Sequence, residues 1–233
     1  MIDGAPIVAI ATQASKNAKT GAMIQTWIIR QDIAPHIAIK TGADASICGD
    51  CKHRGIADGS RAIGRSCYVL THNAPRSIWE KFTRGGYDAA ADLDEIEALG
   101  TGEAIRLGSY GDPAAVPVEI WQALTRNASR HTGYTHQWHR MSERVARAWR
   151  PLVMASADTR DELDRARSAG WRTFRVADDQ APGEILCPAS KEAGQKTTCA
   201  KCSLCSGTTG PLQVTIYIPA HGFGATHARK RVA

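Results

Sequence analysis

The sequence predicts an α/β protein, built as a partial (β/α) barrel or a mainly parallel sheet, with two cysteine-rich metal-binding loops. Three observations predict it. From residue 104 onward, strand-like runs alternate with helical stretches of about ten residues, the pattern of βα units on a parallel sheet. Near the C-terminus, Cys187-Pro188 is followed by Cys199-Ala-Lys-Cys202-Ser-Leu-Cys205, so four of the seven cysteines share one short segment. The remaining three, Cys48, Cys51 and Cys67, lie together in the N-terminal part.

A chain of 233 residues can bury a large core. The expected organisation is one domain, 1–233, with an N-terminal part over 1–100 and a βα-repeat part over 101–233. An apolar fraction of 43% is ordinary for a globular protein. No apolar run reaches the roughly eighteen residues of a membrane span, so no membrane partner is expected. Met1-Ile-Asp-Gly lacks the basic start and apolar core of a signal peptide. The expected location is the cytoplasm, where thiols serve as ligands more often than as disulfides. The formal net charge of +6 suits an anionic small molecule, a nucleotide or nucleic acid.

The elements follow in order. Ser15–Gly21 is polar and reads as a loop, in which Lys16 and Lys19 could touch phosphate but suit a solvated turn better. Met23–Ile29 is rich in β-branched and aromatic residues and reads as a strand. Ile78, Trp79 and Phe82 make a helical stripe, as do Leu93, Ile96 and Leu99, with Gly100 as a stop signal. Ala104–Tyr110 is a strand, and Val118–Ala128 a helix. A second strand is expected over Gly133–Trp138, a helix over Met141–Trp149 and a third strand over Pro151–Ser156. Thr159-Arg-Asp-Glu162 is a capping box opening a helix that ends at Gly170. Trp171–Val176, Glu184–Cys187 and Val214–Ile218 are further strands, and His227–Arg231 is a basic tail expected to lack regular structure.

The spacing C-x2-C-x2-C offers three thiolates from one tight loop, and Cys187, followed by Pro, is a natural fourth. An iron–sulfur cluster favours such a run, whereas zinc ribbons usually use two separated C-x2-C pairs. A [4Fe–4S] cluster, a structural zinc and ordinary thiols or disulfides remain the three readings of Cys187, Cys199, Cys202 and Cys205. In the N-terminal group, Cys48-Gly-Asp-Cys51 can aim two thiolates at one metal. Cys67 is either simply buried or a third ligand, and as a third ligand it leaves two completions open: a Cys3His zinc site with His53, or a cluster held by three cysteines with one iron open.

In parallel-sheet folds, ligands bind at the carboxyl ends of the strands. The residues expected there are Ser109, Tyr110, Gly111 and Asp112, then His136, then Ser156 and Asp158, then Arg175. Asp112 and His136 are the candidate catalytic pair, and Tyr68 with the others a candidate cofactor-binding set. Asp112-Pro113 also suits a plain turn, and Asp158 or Thr159 a helix cap.

Together, ICGDCKHR, the Cys67-Tyr68 pair, RLGSYGDP, GYTHQW, SAD before a capped helix and CPAS…CAKCSLCSG resemble a family of bacteriophage and prophage proteins over nearly the whole chain. That family is in turn distantly similar to phage proteins of radical-SAM type. The resemblance implies a partial (β/α) barrel in which Cys48, Cys51 and Cys67 hold the [4Fe–4S] cluster that binds S-adenosylmethionine. It also implies that Cys187, Cys199, Cys202 and Cys205 hold an auxiliary cluster. The spacing here, C-x2-C-x15-C, differs from the C-x3-C-x2-C of radical-SAM proteins, and no Gly-Gly-Glu segment follows the first strand. The alternative to an enzyme is a zinc-stabilised module that binds nucleic acid or a host protein.

Overall fold

The computed structural model describes residues 3–13, 18–212, 214–221 and 224–232. Among these, eight strands form one sheet in the order β1-β2-β5-β6-β7-β8-β10-β9, open between its edges β1 and β9. β1 (Ile7–Thr12) runs antiparallel to β2 (Ile24–Arg30). All other pairings are parallel, through β5 (Ala104–Tyr110), β6 (Arg130–Thr135), β7 (Met154–Ala157), β8 (Thr173–Val176), β9 (Glu184–Leu186) and β10 (Thr215–Ile218). The sheet is therefore the mainly parallel α/β arrangement that the strand–helix alternation predicts.

Helices connect the strands. α1 (Pro35–Thr41) and α2 (Ala45–Cys48) follow β2. A small antiparallel hairpin, β3 (Ile56–Ala57) with β4 (Ala62–Ile63), precedes α3 (Ala74–Thr83) and α4 (Leu93–Gly100). α5 (Val118–Thr125) joins β5 to β6, α6 (Glu143–Trp149) joins β6 to β7, and α7 (Arg160–Ser168) joins β7 to β8. α8 (Cys199–Cys202) and α9 (Ala225–Val232) close the chain. The main core packs Ile28, Ile105, Leu107, Trp121, Trp149 and Val153 between sheet and helices. A second core, around Met23, Met154, Ile216 and Ile218, contains Cys187, Cys199 and Cys205.

Several elements differ from the sequence reading, each for a local reason. β6 ends at Thr135, before His136. The chain then turns over Gln137–Arg140, which buries Trp138 and lets its Nε1 donate to Ser156 O at 2.8 Å. Leu152 and Val153 are not yet strand: their amides donate to Trp149 O and extend the end of α6. Gly100 is the last residue of α4 rather than its stop, and a Cβ there would lie 1.8 Å from Leu124 O, so its smallness sets how closely α4 meets α5. The C-terminal tail is helical as α9, seated by close approach of Gly224 to the backbone of Ser66 and by burial of Ala228. Lys16 lies outside the described residues.

β5 is irregular near its carboxyl end. Gln25 pairs with Arg106 but Trp27 pairs with Tyr110, so β5 spends extra residues in a bulge. Gly108 occupies it at φ +67°, its amide donating to Thr26 Oγ1 at 2.9 Å. Bulges of this kind re-aim the residues beyond them, here Ser109, Tyr110, Gly111 and Asp112.

Candidate metal centres on one cavity

The N-terminal cysteines are brought near one another although fifteen residues separate Cys51 from Cys67. α2 ends at Cys48, and Cys51 caps the single turn Lys52–Arg54. Arg54 stitches this loop, donating to Gly49 O at 2.8 Å, Gly42 O at 3.0 Å and Asp44 Oδ1 at 2.7 Å. The β3–β4 hairpin then folds the chain back. The amides of Ser66 and Cys67 both donate to His53 O, at 3.1 and 3.0 Å, and this returns Cys67 to the Cys51 turn.

The C-terminal cysteines are placed by different contacts. β9 delivers Cys187, whose amide donates to Tyr217 O at 2.9 Å. The amides of Cys199 and Ala200 donate to Lys19 O and Thr20 O, both at 2.9 Å, docking α8 beside the start of β2. Cys205 O accepts from the Gly133 amide at 3.1 Å, and Arg130 Nη1 donates to Lys201 O at 2.7 Å. A tight left-handed residue, Ser203 at φ 54°, turns the chain between Cys202 and Cys205.

Both groups open onto one cavity of about 590 Å³. All seven cysteines line it, although the two groups lie far apart in sequence. Ser109, Tyr110, Gly111, Asp112, His136 and Ser156 line it from the strand ends, and Tyr68 from beside Cys67. Its volume falls within the roughly 300–1,000 Å³ of small-molecule sites.

Burial pushes the thiols of Cys48, Cys67, Cys187 and Cys199 up, and those of Cys51 and Cys205 up to about 12. Neighbouring thiols add to the effect for Cys48 and Cys205. Such thiols stay protonated unless a metal takes the place of the proton. Cavity residues also carry buried polar atoms without a hydrogen-bond partner among the described residues: Tyr110 Oη, Thr132 Oγ1, His136 Nε2 and Ser203 Oγ. Unsatisfied buried groups are rare and are met by a ligand, an ion or an ordered water. Tyr110 lies in the field of Cys48 and Cys67, and Ser203 stands between two candidate ligands. The walls therefore fit a metal–sulfur group at each cysteine set.

The spacing of the sulfurs bears on which metal fits. Among the described residues, no cysteine belongs to a group of three ligand atoms within 4.8 Å of one another. A tetrahedral zinc, with Zn–S near 2.3 Å, holds its sulfurs about 3.8 Å apart. The iron cube of a [4Fe–4S] cluster holds its thiolates roughly 6 Å apart. No three of the cysteine sulfurs among the described residues are thus already gathered at the spacing of a zinc tetrahedron.

The other expected residues take distinct places. Asp112 is buried and accepts from the Ala114 amide at 3.0 Å and the His136 amide at 2.8 Å. Burial lifts its carboxyl above the usual range, against the opposing field of His136. Its carboxylate thus braces the ends of β5 and β6. Ser109 Oγ donates to Gln25 Oε1 at 2.6 Å. Asp158 follows β7 and meets His53 and His136: His53 Nε2 lies 3.0 Å from Oδ1, and His136 Nε2 lies 3.9 Å from Oδ2. Burial opposes its charge, but the His53 hydrogen bond and the fields of His136 and Lys52 hold its carboxyl down at about 2. Thr159 accepts from the Glu162 amide as expected of a cap, and Glu162 reaches back to the Asp158 amide at 2.8 Å. The structure does not bring Arg175 to the cavity. Its guanidinium is buried against Glu184, at 2.9 and 2.7 Å, and Asp179, at 3.0 Å.

Two cavity residues escape the sequence reading. Arg106 is nine-tenths buried and donates to Tyr68 Oη at 2.8 Å, with no carboxylate within 4.0 Å among the described residues. Burial opposes its charge, but its pKa stays above the usual arginine value, so it is cationic. Tyr134 packs its ring below Arg106, 5.7 Å from the guanidinium, and hydrogen-bonds the Cys205 thiol. The available signal was the arginine itself, a charge inside the apolar strand Ala104–Tyr110. No helix among the described residues is long and apolar enough to cross a membrane. Comparison with protein-family models, with curated proteins and with solved structures finds no match.

Proposed function

We propose that this protein is a radical-SAM-like iron–sulfur enzyme that acts, in the cytoplasm, on a nucleotide or another anionic substrate. The observation that carries the reading is the convergence of all seven cysteines on one cavity. Cys48, Cys51 and Cys67 would hold a [4Fe–4S] cluster with one open position, and Cys187, Cys199, Cys202 and Cys205 a closed auxiliary cluster. The three-plus-four division and the resemblance to phage proteins of radical-SAM type both support this. When bound, such a cluster supplies one-electron chemistry on S-adenosylmethionine.

The chain's own residues do the rest. Arg106 offers a buried cation with no carboxylate partner among the described residues, and a buried charge of this kind is costly until an anion joins it. It is the group expected to fix a phosphate or carboxylate of the substrate. Asp112 holds the strand ends in place through two backbone amides. The sheet and α9 both wall the cavity, with Ala228 of α9 on its lining.

The test is release of 5′-deoxyadenosine. Protein loaded with iron and sulfide under argon, then given S-adenosylmethionine and dithionite, is expected to produce it. Cys48→Ser, Cys51→Ser and Cys67→Ser are each expected to abolish the product. Fully loaded wild-type protein that releases none would defeat the S-adenosylmethionine reading.

A further inference from the structure

We propose that His53, His136 and Asp158 form a mononuclear site for a divalent first-row transition ion, distinct from both cysteine centres and open to the same cavity. The candidate ligand atoms, one from each residue, all lie within 4.8 Å of one another. They come from three separate segments: the turn after Cys51, the residue after β6 and the residue after β7. Two imidazoles and one carboxylate on one side of an ion leave its other positions free, the donor set of non-haem iron(II) and manganese(II) sites.

The distances favour a shared ion over a plain hydrogen-bonded trio. His53 Nε2 to Asp158 Oδ1 is 3.0 Å. Neighbouring ligands of an octahedral ion at 2.1 Å stand about 3.0 Å apart, so an ion fits beside this pair with little movement. His136 Nε2 is 3.9 Å from Asp158 Oδ2, beyond hydrogen-bond reach, and has no other partner among the described residues although the atom is buried. The nitrogen thus lies near a carboxylate that it does not touch. An ion between them would engage both groups. His53 Nδ1 lies 2.7 Å from Ser66 Oγ, which fixes the ring and leaves Nε2 for the ion. Ligating histidines are typically held in this way through their second nitrogen. The rings stand edge to face, their centroids 5.4 Å apart, so their Nε2 atoms can converge without stacking. Both histidines line the cavity, and the free positions of the ion would face it. His53 is thereby used away from the Cys48, Cys51 and Cys67 set.

Manganese(II) is the probe, because it prefers nitrogen and oxygen donors to thiolate. Full-length protein washed with EDTA and titrated under argon is expected to bind one equivalent, read as loss of the free-ion EPR signal. Pulsed EPR of the bound ion is expected to show modulation from histidine nitrogen. Asp158→Asn and His136→Gln should weaken binding at least about hundredfold, and Ser66→Ala about tenfold. Cys202→Ser should lower iron content and leave manganese binding unchanged. No bound manganese, no histidine modulation in the wild type, or equal binding by wild type and Asp158→Asn would each overturn the proposal. The readout does not depend on iron or sulfide content, so this site and the cluster reading can fail separately.

Discussion

Serine at Cys205 is expected to remove the C-terminal centre and about half of the iron, if two clusters of equal size are present. The same loss is expected for Cys187→Ser, Cys199→Ser and Cys202→Ser. Cys48→Ser, Cys51→Ser and Cys67→Ser should remove the other half, and a variant lacking one cysteine from each group should carry almost none. The division follows from the structure. Cys187, Cys199 and Cys205 sit in one packed cluster around Met23 and Ile216, whereas Cys67 is tied by its amide to His53, two residues beyond Cys51. Serine matches cysteine closely in size, so the packing around each site is little disturbed. Iron and sulfide analysis of the purified variants is the check. A C-terminal variant that keeps all its iron would remove that cysteine from the ligand set.

Glu184→Gln is expected to destabilise the fold by about 3 kcal/mol, the lower end of the usual cost of breaking a buried ion pair, because Asp179 still meets the guanidinium. Arg175 is 1% exposed and the Glu184 side chain 0%, so the remaining charge cannot reach water. The pair spans β10, linking β8 to the edge strand β9, and Glu184 also accepts from the Ala181 amide at 2.7 Å. Asp179 is the control. It meets the same guanidinium but its side chain is 60% exposed, so Asp179→Asn should cost no more than about 1 kcal/mol. Replacing both members, Arg175→Met with Glu184→Leu, should restore much of the loss, because the desolvation penalty disappears with the charges. Urea unfolding midpoints distinguish the three variants. A Glu184→Gln protein as stable as wild type would show that the pair does not hold this edge of the sheet.

The parallel sheet was legible because the helices between its strands announce themselves. The Thr159 capping box and the strand Ala104–Tyr110 are where the pattern places them. Boundaries failed where tertiary contacts override local preference. Gly133–Trp138 reads as a strand from its aromatic and β-branched residues, but Trp138 gains more by turning inward to Ser156. The tail His227–Arg231 looks like a solvated basic run, and burial of Ala228 makes it part of the helix Ala225–Val232. The cysteine groups were legible as groups. That they share a cavity was not, because the hairpin behind Cys67 and the docking of α8 on Lys19 and Thr20 join segments far apart in sequence. Arg175 illustrates the opposite error. A charged residue at a strand end suggests a rim site, but its neighbours Glu184 and Asp179 claim it. His53 lay next to Cys51 in sequence, and that proximity hid its real partner, Asp158, which only the fold brings near.

Anaerobic purification followed by iron, sulfide and zinc analysis tests the central claim most directly. Two [4Fe–4S] clusters predict about eight iron and eight sulfide per chain, a brown protein and a broad absorbance band near ~400 nm. A colourless protein carrying zinc and no sulfide would contradict the account, and would make the cysteines the scaffold of a binding module.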